Sequence, residues 1–379
     1  MNDYKYFRFN STHHNSFETR VFLPQHASII PEVKAKHLPK IYDGKLIISQ
    51  AKGEIVCIDI DTQKTLWSFS PLNTQQADWI NGFEVILDDK NDIILALENE
   101  LNKIDLETGN LISTSKLPSQ TIPDFKIDHF QGNKLYSTYS SINAGTFKFY
   151  LYCYDADKNK IQWQVDLKED VPLASVLIEN ILVMFLSSNK ILAYNADNGK
   201  VFWKINSQGT YIDEVEDNQQ QRVIDSIPVV VENRLIFGLT DKLLRAYDVN
   251  NGKQLWETSI QEKASGNYVI DEVGNIHVIS SQHYYCLDSK NGNITNKKDV
   301  KSHLENKGFN FFTMPTITNQ YLFFAERFKG NLFALDINSG DIVWDYKCKS
   351  QIPKTHFPLF INSRMYIVDD QGGVYVFSE

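Results

Sequence analysis

The tightest constraint in this chain is a spacing that recurs along its length. The unit is clearest in GNLFALDINSGDIVW, residues 330–344: a short apolar run, Asp336, a polar turn ending in Gly340, and a second run closing on Trp344. Read physically, this is strand, tight turn, strand. The Asp side chain can bond the turn backbone, and the glycine can adopt the positive φ that closes it. Counterparts occur at residues 53–67, 100–113, 149–163, 190–203, 242–256 and 283–296. The anchors are Asp59, Asp105, Asp155, Asn195, Asp248, Asp288 and Asp336. Eight residues after each stand Trp67, Ser113, Trp163, Trp203, Trp256, Asn296 and Trp344, so five of the six tryptophans share one register. Four residues after the anchors come Gln63, Gly109, Asn159, Gly199, Gly252, Gly292 and Gly340. Glycine and asparagine suit a left-handed turn position, and Gln63 is the misfit.

One such hairpin cannot bury its own apolar face and needs copies beside it. Anchors lie 40 to 53 residues apart, the length of a propeller blade. Two further candidate strands precede each hairpin, with Pro39, Pro172, Pro228, Pro315 and Pro358 marking the first of them. An eighth copy starts at Gly372, and the chain ends before its second strand. The reading is an all-β, eight-bladed propeller of four-stranded antiparallel blades; seven blades is the alternative if the Asp105 repeat is degenerate. The whole of 1–379 is expected to form a single domain, with 37–379 the repeats and 1–36 a closing segment. The eighth blade lacks an outer strand, and an unfilled edge invites aggregation. Residues 17–23 (FETRVFL) are preferred over 4–9 (YKYFRF) to fill it, pairing the two ends of the chain.

The pattern A-x-D-x-x-x-G-x-x-x-W, seen at Ala246–Trp256 and Ala334–Trp344 and, with Asn195, at Ala193–Trp203, resembles the tryptophan-docking motif of PQQ-type propellers. That superfamily includes quinoprotein alcohol dehydrogenases and outer-membrane barrel-assembly propellers. The resemblance implies that Trp67, Trp163, Trp203, Trp256 and Trp344 are structural, each docking between neighbouring blades. It also implies an adjacent Cys–Cys pair over the cofactor in the dehydrogenases, and this chain has none. Cys57, Cys153 and Cys286 each sit two residues before an anchor, where other blades have Ala193, Ala246 and Ala334. That slot wants a small buried side chain, so the cysteines read as small hydrophobes.

Composition narrows the function further. Net charge is −9, with no run of Lys and Arg, which argues against a nucleic-acid or anionic-membrane surface. Nothing approaches a membrane-spanning run, and the N-terminus carries no apolar leader core. The expectation is a cytoplasmic bacterial protein, monomeric, with no cofactor, no metal and no catalytic residues. Connections between blades vary most, and insertions on one face of a repeat protein mark a binding face. Candidate partner-binding residues are therefore Trp79, Tyr211, Asp213, Glu214, Glu216, Asp217, Arg327 and Phe328. Acids interleaved with aromatics suit a basic protein partner. The leading expectation is a non-enzymatic scaffold, in its sharper form an immunity protein neutralising a basic toxin. The alternatives are a PQQ-dependent or related alcohol or sugar oxidoreductase, and an outer-membrane-assembly scaffold.

Overall fold

The structure, a computed structural model, describes residues 22–50, 54–70, 85–87, 92–97, 100–116, 126–143, 146–207, 210–213, 218–221, 228–239, 241–260, 268–280, 282–301, 304, 312–353, 356–361 and 363–379. Eight four-stranded antiparallel sheets make an eight-bladed β-propeller. The Asp105 repeat is a full blade, so the seven-bladed alternative falls.

Two compact units each hold four blades. In the first, blades 1 to 4 span residues 40–69, 85–116, 126–168 and 172–206. In the second, blades 5 to 7 span 229–259, 268–299 and 316–347, and blade 8 combines 359–378 with a strand from the N-terminal region. Within each blade the strands run in chain order from first to fourth, except in blade 8. Its fourth strand is His26–Ile29, paired antiparallel to Val374–Ser378 with His26 opposite Ser378 and Ile29 opposite Tyr375. Residues 17–21 lie outside the described residues. Phe22 precedes the pairing segment, its ring set edge-on to Phe360 at 5.9 Å. The closing strand thus lies downstream of the expected 17–23. HASI is short and largely exposed, which hid it, and Phe22 is drawn into the core rather than into the ladder.

The sequence explains the blade. Second and third strands are buried on both faces and read as apolar runs: Ile181–Leu186 (ILVMFL) and Arg364–Val368 (RMYIV) are nearly all core. Fourth strands alternate, as in Ile342–Lys347, because only one face meets the neighbouring blade. The prolines stand at or just before first strands, where no ladder hydrogen bond from their nitrogen is needed. Between the third and fourth strands of blades 1 to 7 the register slips by one residue just before the anchor. This bulge bends the fourth strand and fixes which face its eighth-position side chain presents.

Candidate functional site

Each anchor organises its turn. The Oδ1 atoms of Asp59, Asp105, Asp155, Asn195, Asp248, Asp288 and Asp336 all accept backbone N–H groups two or three residues on, at 2.7–2.9 Å. Turn residues bonded to Asp105, Thr108 first, hold its carboxyl below the usual range, and Lys158 does the same for Asp155. The fourth-after position has positive φ in blade after blade, including Gln63 at 56° and Asn159 at 52°. Gln63, the misfit of the sequence pattern, accepts the left-handed conformation because the turn's bonds over-determine it.

These turns receive the tryptophans of the preceding blade. Trp67 Nε1 donates to Leu106 O at 2.9 Å, Trp163 Nε1 to Ala196 O at 2.9 Å, and Trp256 Nε1 to Ser289 O at 2.8 Å. In each case the acceptor is the residue after the anchor. The ring lies on the turn glycine: a Cβ at Gly109 would fall 2.6 Å from Trp67, and one at Gly199 or Gly292 would fall 2.7 Å from Trp163 or Trp256. Glycine is needed here for space as well as for φ. The small slot two residues before the anchor also has its reason, since Cys57, Cys153 and Ala246 pair directly across from Trp67, Trp163 and Trp256. Trp344 meets no such turn in blade 8 and packs edge-on against Phe377 at 5.8 Å. Trp203 is buried, opposite Ala193.

Among the described residues two of the seams after blades 1 to 7 lack the tryptophan, and a cavity lies at each. Blade 2 carries Ser113 in place of tryptophan, Lys103 in the small slot opposite it, and faces Asn159 in place of glycine. A cavity of about 220 Å³ opens there between blades 2 and 3, with Ile94, Leu101 and Phe130 at its base and Ser113, Asn133 and Asp157 among its polar lining. Lys103 Nζ is tied to Asp92 at 2.8 Å. Blade 6 carries Asn296 in place of tryptophan, and the stem of Lys298 covers Gly340 instead. A second cavity of about 210 Å³, lined by Asp271, Ile317, Thr318 and Ile337, lies between blades 6 and 7. His277 bridges Asp271 Oδ2 at 3.0 Å and the Tyr284 hydroxyl at 2.8 Å. Burial works to raise the Asp271 pKa, but bonds from His277 and Asn275 outweigh it and hold the carboxyl below its usual range. Burial raises Tyr284.

The candidate partner-binding residues scatter. Trp79, Glu214, Glu216 and Asp217 lie outside the described residues. Tyr211 and Asp213 belong to Thr210–Asp213, which pairs with Asn218–Gln221 as a hairpin separate from the eight blades. The insertion expected as a loop therefore carries its own short sheet. Arg327 and Phe328 sit between the second and third strands of blade 7, the guanidinium 5.2 Å from the ring centroid and Phe328 52% exposed.

One element escaped sequence reasoning. In blade 3 the second and third strands, Lys134–Asn143 and Thr146–Asp155, are 10 residues each, against 5 or 6 in most other blades. Tyr139 and Tyr150 stack across this ladder at 4.8 Å, and Phe147 near its tip is exposed. The signal was present in the run KLYSTYSSIN, residues 134–143.

Burial pushes the Cys57 and Cys348 thiols up to about 12 and Cys153 to about 11, which leaves them unreactive near neutrality. Among the described residues no group of three His, Cys, Asp or Glu converges. No helix of the described residues is long and apolar enough to cross a membrane.

Comparison with known proteins draws on the same repeat. The structure is similar to BamB from Moraxella catarrhalis, with TM-score 0.62 and 15% identity over 95% of this chain and 100% of that one. It is also similar to the quinohemoprotein alcohol dehydrogenase of Comamonas testosteroni, with TM-score 0.65 and 10% identity over 99% of this chain and 80% of that one. At these identities the likeness shows the fold alone. In sequence, the chain is 23% identical over 208 residues to outer membrane protein assembly factor BamB of Shewanella oneidensis, covering 50% of this chain and 48% of that protein. It is 20% identical over 249 residues to the Yersinia pestis protein of the same name, covering 63% and 51%. The matches span about half the length of those relatives. The family model described as outer membrane protein assembly factor BamB matches residues 98–346, well over half of the chain, and the chain belongs to that family.

Proposed function

We propose that this chain is a non-enzymatic, protein-binding scaffold of the outer-membrane-protein assembly type. The observation that carries the reading is the family match along residues 98–346. It favours the assembly scaffold, which the sequence reading placed behind a neutralising protein, because nothing in the comparisons points to toxin immunity. The likeness to quinoprotein dehydrogenases is one of fold, and one propeller architecture hosts many tasks.

In this reading the chain acts as a monomer, and its partner meets variable segments of the blades. Acids of the 207–225 insertion attract a basic surface, and Tyr211 and Phe328 supply apolar anchors. The docking tryptophans hold the blades in register. The test is in-cell crosslinking of the tagged full chain, followed by mass spectrometry and cell fractionation. The proposal predicts a stoichiometric component of the outer-membrane-protein assembly machinery. A small basic toxin, or a tightly bound quinone and metal with no protein, would contradict it. Fractionation decides between the cytoplasm, expected from sequence, and a site at the envelope, in keeping with the family's name. Asp213→Asn with Glu214→Gln should slow association with the captured partner and flatten its salt dependence.

A further inference from the structure

Three tryptophan seams show what the space between two blades is shaped to hold. After blades 1, 3 and 5 a ring lies on a turn glycine and donates its N–H to the carbonyl following the anchor. After blade 2 the corresponding place is lined by Ser113 and Lys103, Asn159 holds the turn position of the facing blade, and a 220 Å³ cavity remains. Its base is made of Ile94, Leu101 and Phe130, exposed by only 1%, 4% and 3%. Ala156 stands where Leu106, Ala196 and Ser289 offer their carbonyls, and the exposed Asp157 lines the cavity beside it.

We infer that the cavity between blades 2 and 3 receives an aromatic side chain of a partner protein, a Trp or Tyr whose N–H or O–H meets the acceptors at its rim. This deepens the scaffold reading and rests on it. An apolar base with acceptors at the mouth fits an aromatic body with a polar tip. The chain cannot fill the place from Ser113 as its sister blades do. Asn159 carries a Cβ where Gly109, Gly199 and Gly292 have none, and a ring in their pose would collide with it. A guest enters from solvent, across Asn133 and Gly132, and need not take that pose. The seam after blade 6 is different, since Lys298 already covers its glycine.

The test uses the full chain with labelled isoleucine and leucine methyls, titrated with N-acetyl-tryptophanamide, N-acetyl-tyrosinamide and N-acetyl-leucinamide. Saturable shifts at Ile94 and Leu101 are expected with the aromatic amides, at affinity about fivefold or more above leucinamide. Ser113→Trp with Asn159→Gly fills the cavity and should abolish these shifts. Gly132→Asn provides a second variant: a Cβ there meets nothing within 4 Å, and asparagine tolerates the local φ of 61°. It crowds the mouth and should weaken binding. Absent shifts, or shifts unchanged in both folded variants, overturn the inference. Crosslinking separates the two levels of claim. If both variants capture the assembly partner as wild type does, the pocket is refuted and the scaffold stands. If the amides bind and wild type captures no assembly component, the scaffold reading fails and only an aromatic-binding pocket survives.

Discussion

The seam between blades 1 and 2 and the seam between blades 2 and 3 are built from the same repeat and end differently. In the first, Trp67 pairs across from Cys57, lies on Gly109 and donates to Leu106 O. In the second, Lys103, Ser113 and Asn159 replace the small residue, the ring and the glycine together. At this seam all three positions differ together, whereas the seam after blade 6 loses only the ring and keeps Cys286 and Gly340. With a ring present, residue 109 has no room for a Cβ. With no ring, residue 159 carries one freely, and its amide oxygen accepts the Tyr154 hydroxyl. Docking is a property of a pair of blades, not of one.

The largest expected effect comes from removing a ring. Trp256→Ala empties a buried site against Gly292 and should cost about 3–5 kcal/mol. Ser113→Ala, at an exposed position, should stay within about 0.5 kcal/mol of wild type. Denaturation midpoints with equal slopes measure both, and comparable losses would break the distinction between the seams.

A smaller effect separates conformation from crowding. Gly199 and Gly132 have φ of 70° and 61°, and only Gly199 has an indole above it. Gly132→Ala should cost about 1 kcal/mol through φ alone, and Gly199→Ala about 2–3 kcal/mol. In a Trp163→Ala background the two costs should converge. If they stay apart, the ring is not what requires the glycine.

The smallest effect is a pH dependence of the turn that receives Trp67 at the first seam. Asp105 has a carboxyl pKa lowered in the folded state by its bonds from Thr108. Its stabilisation is therefore complete above the unfolded value, near 3.9, and is lost as pH falls through the lower folded value. Asp105→Asn should flatten that part of the acid limb in a melting-temperature profile between pH 5 and 2. An unchanged slope would show that the turn bonds do not favour the charged form.

Much of this architecture was legible in residues. Blade number, the third-strand turn and the register of Trp67 through Trp344 follow from a spacing that one bulge and one Asx turn hold constant. The closing strand was not legible, because His26–Ile29 is only four residues long and largely exposed, and it is selected by the edge that Val374–Ser378 offers. The insertion near Tyr211 hid its hairpin, since NQQQ is wholly polar and gives no strand signal in sequence. The long ladder of blade 3 was not legible in the repeat, because the constant spacing fixes the anchor and the eighth position and not the length of the hairpin before them. The cavity depended on complementarity between Ser113 in one blade and Asn159 in the next, which no single repeat displays. Of the candidate binding residues, Arg327 and Phe328 form a stacked pair in one loop, and Tyr211 and Asp213 share one strand.

The most direct test is a double-mutant cycle on Ser113→Trp and Asn159→Gly, read by equilibrium unfolding. The account predicts that Ser113→Trp alone is neutral or destabilising, since the ring meets the Asn159 Cβ. Combined with Asn159→Gly it should stabilise, with a favourable coupling of about 1–2 kcal/mol. Strict additivity of the two changes would contradict the claim that ring and glycine are one unit divided between neighbouring blades.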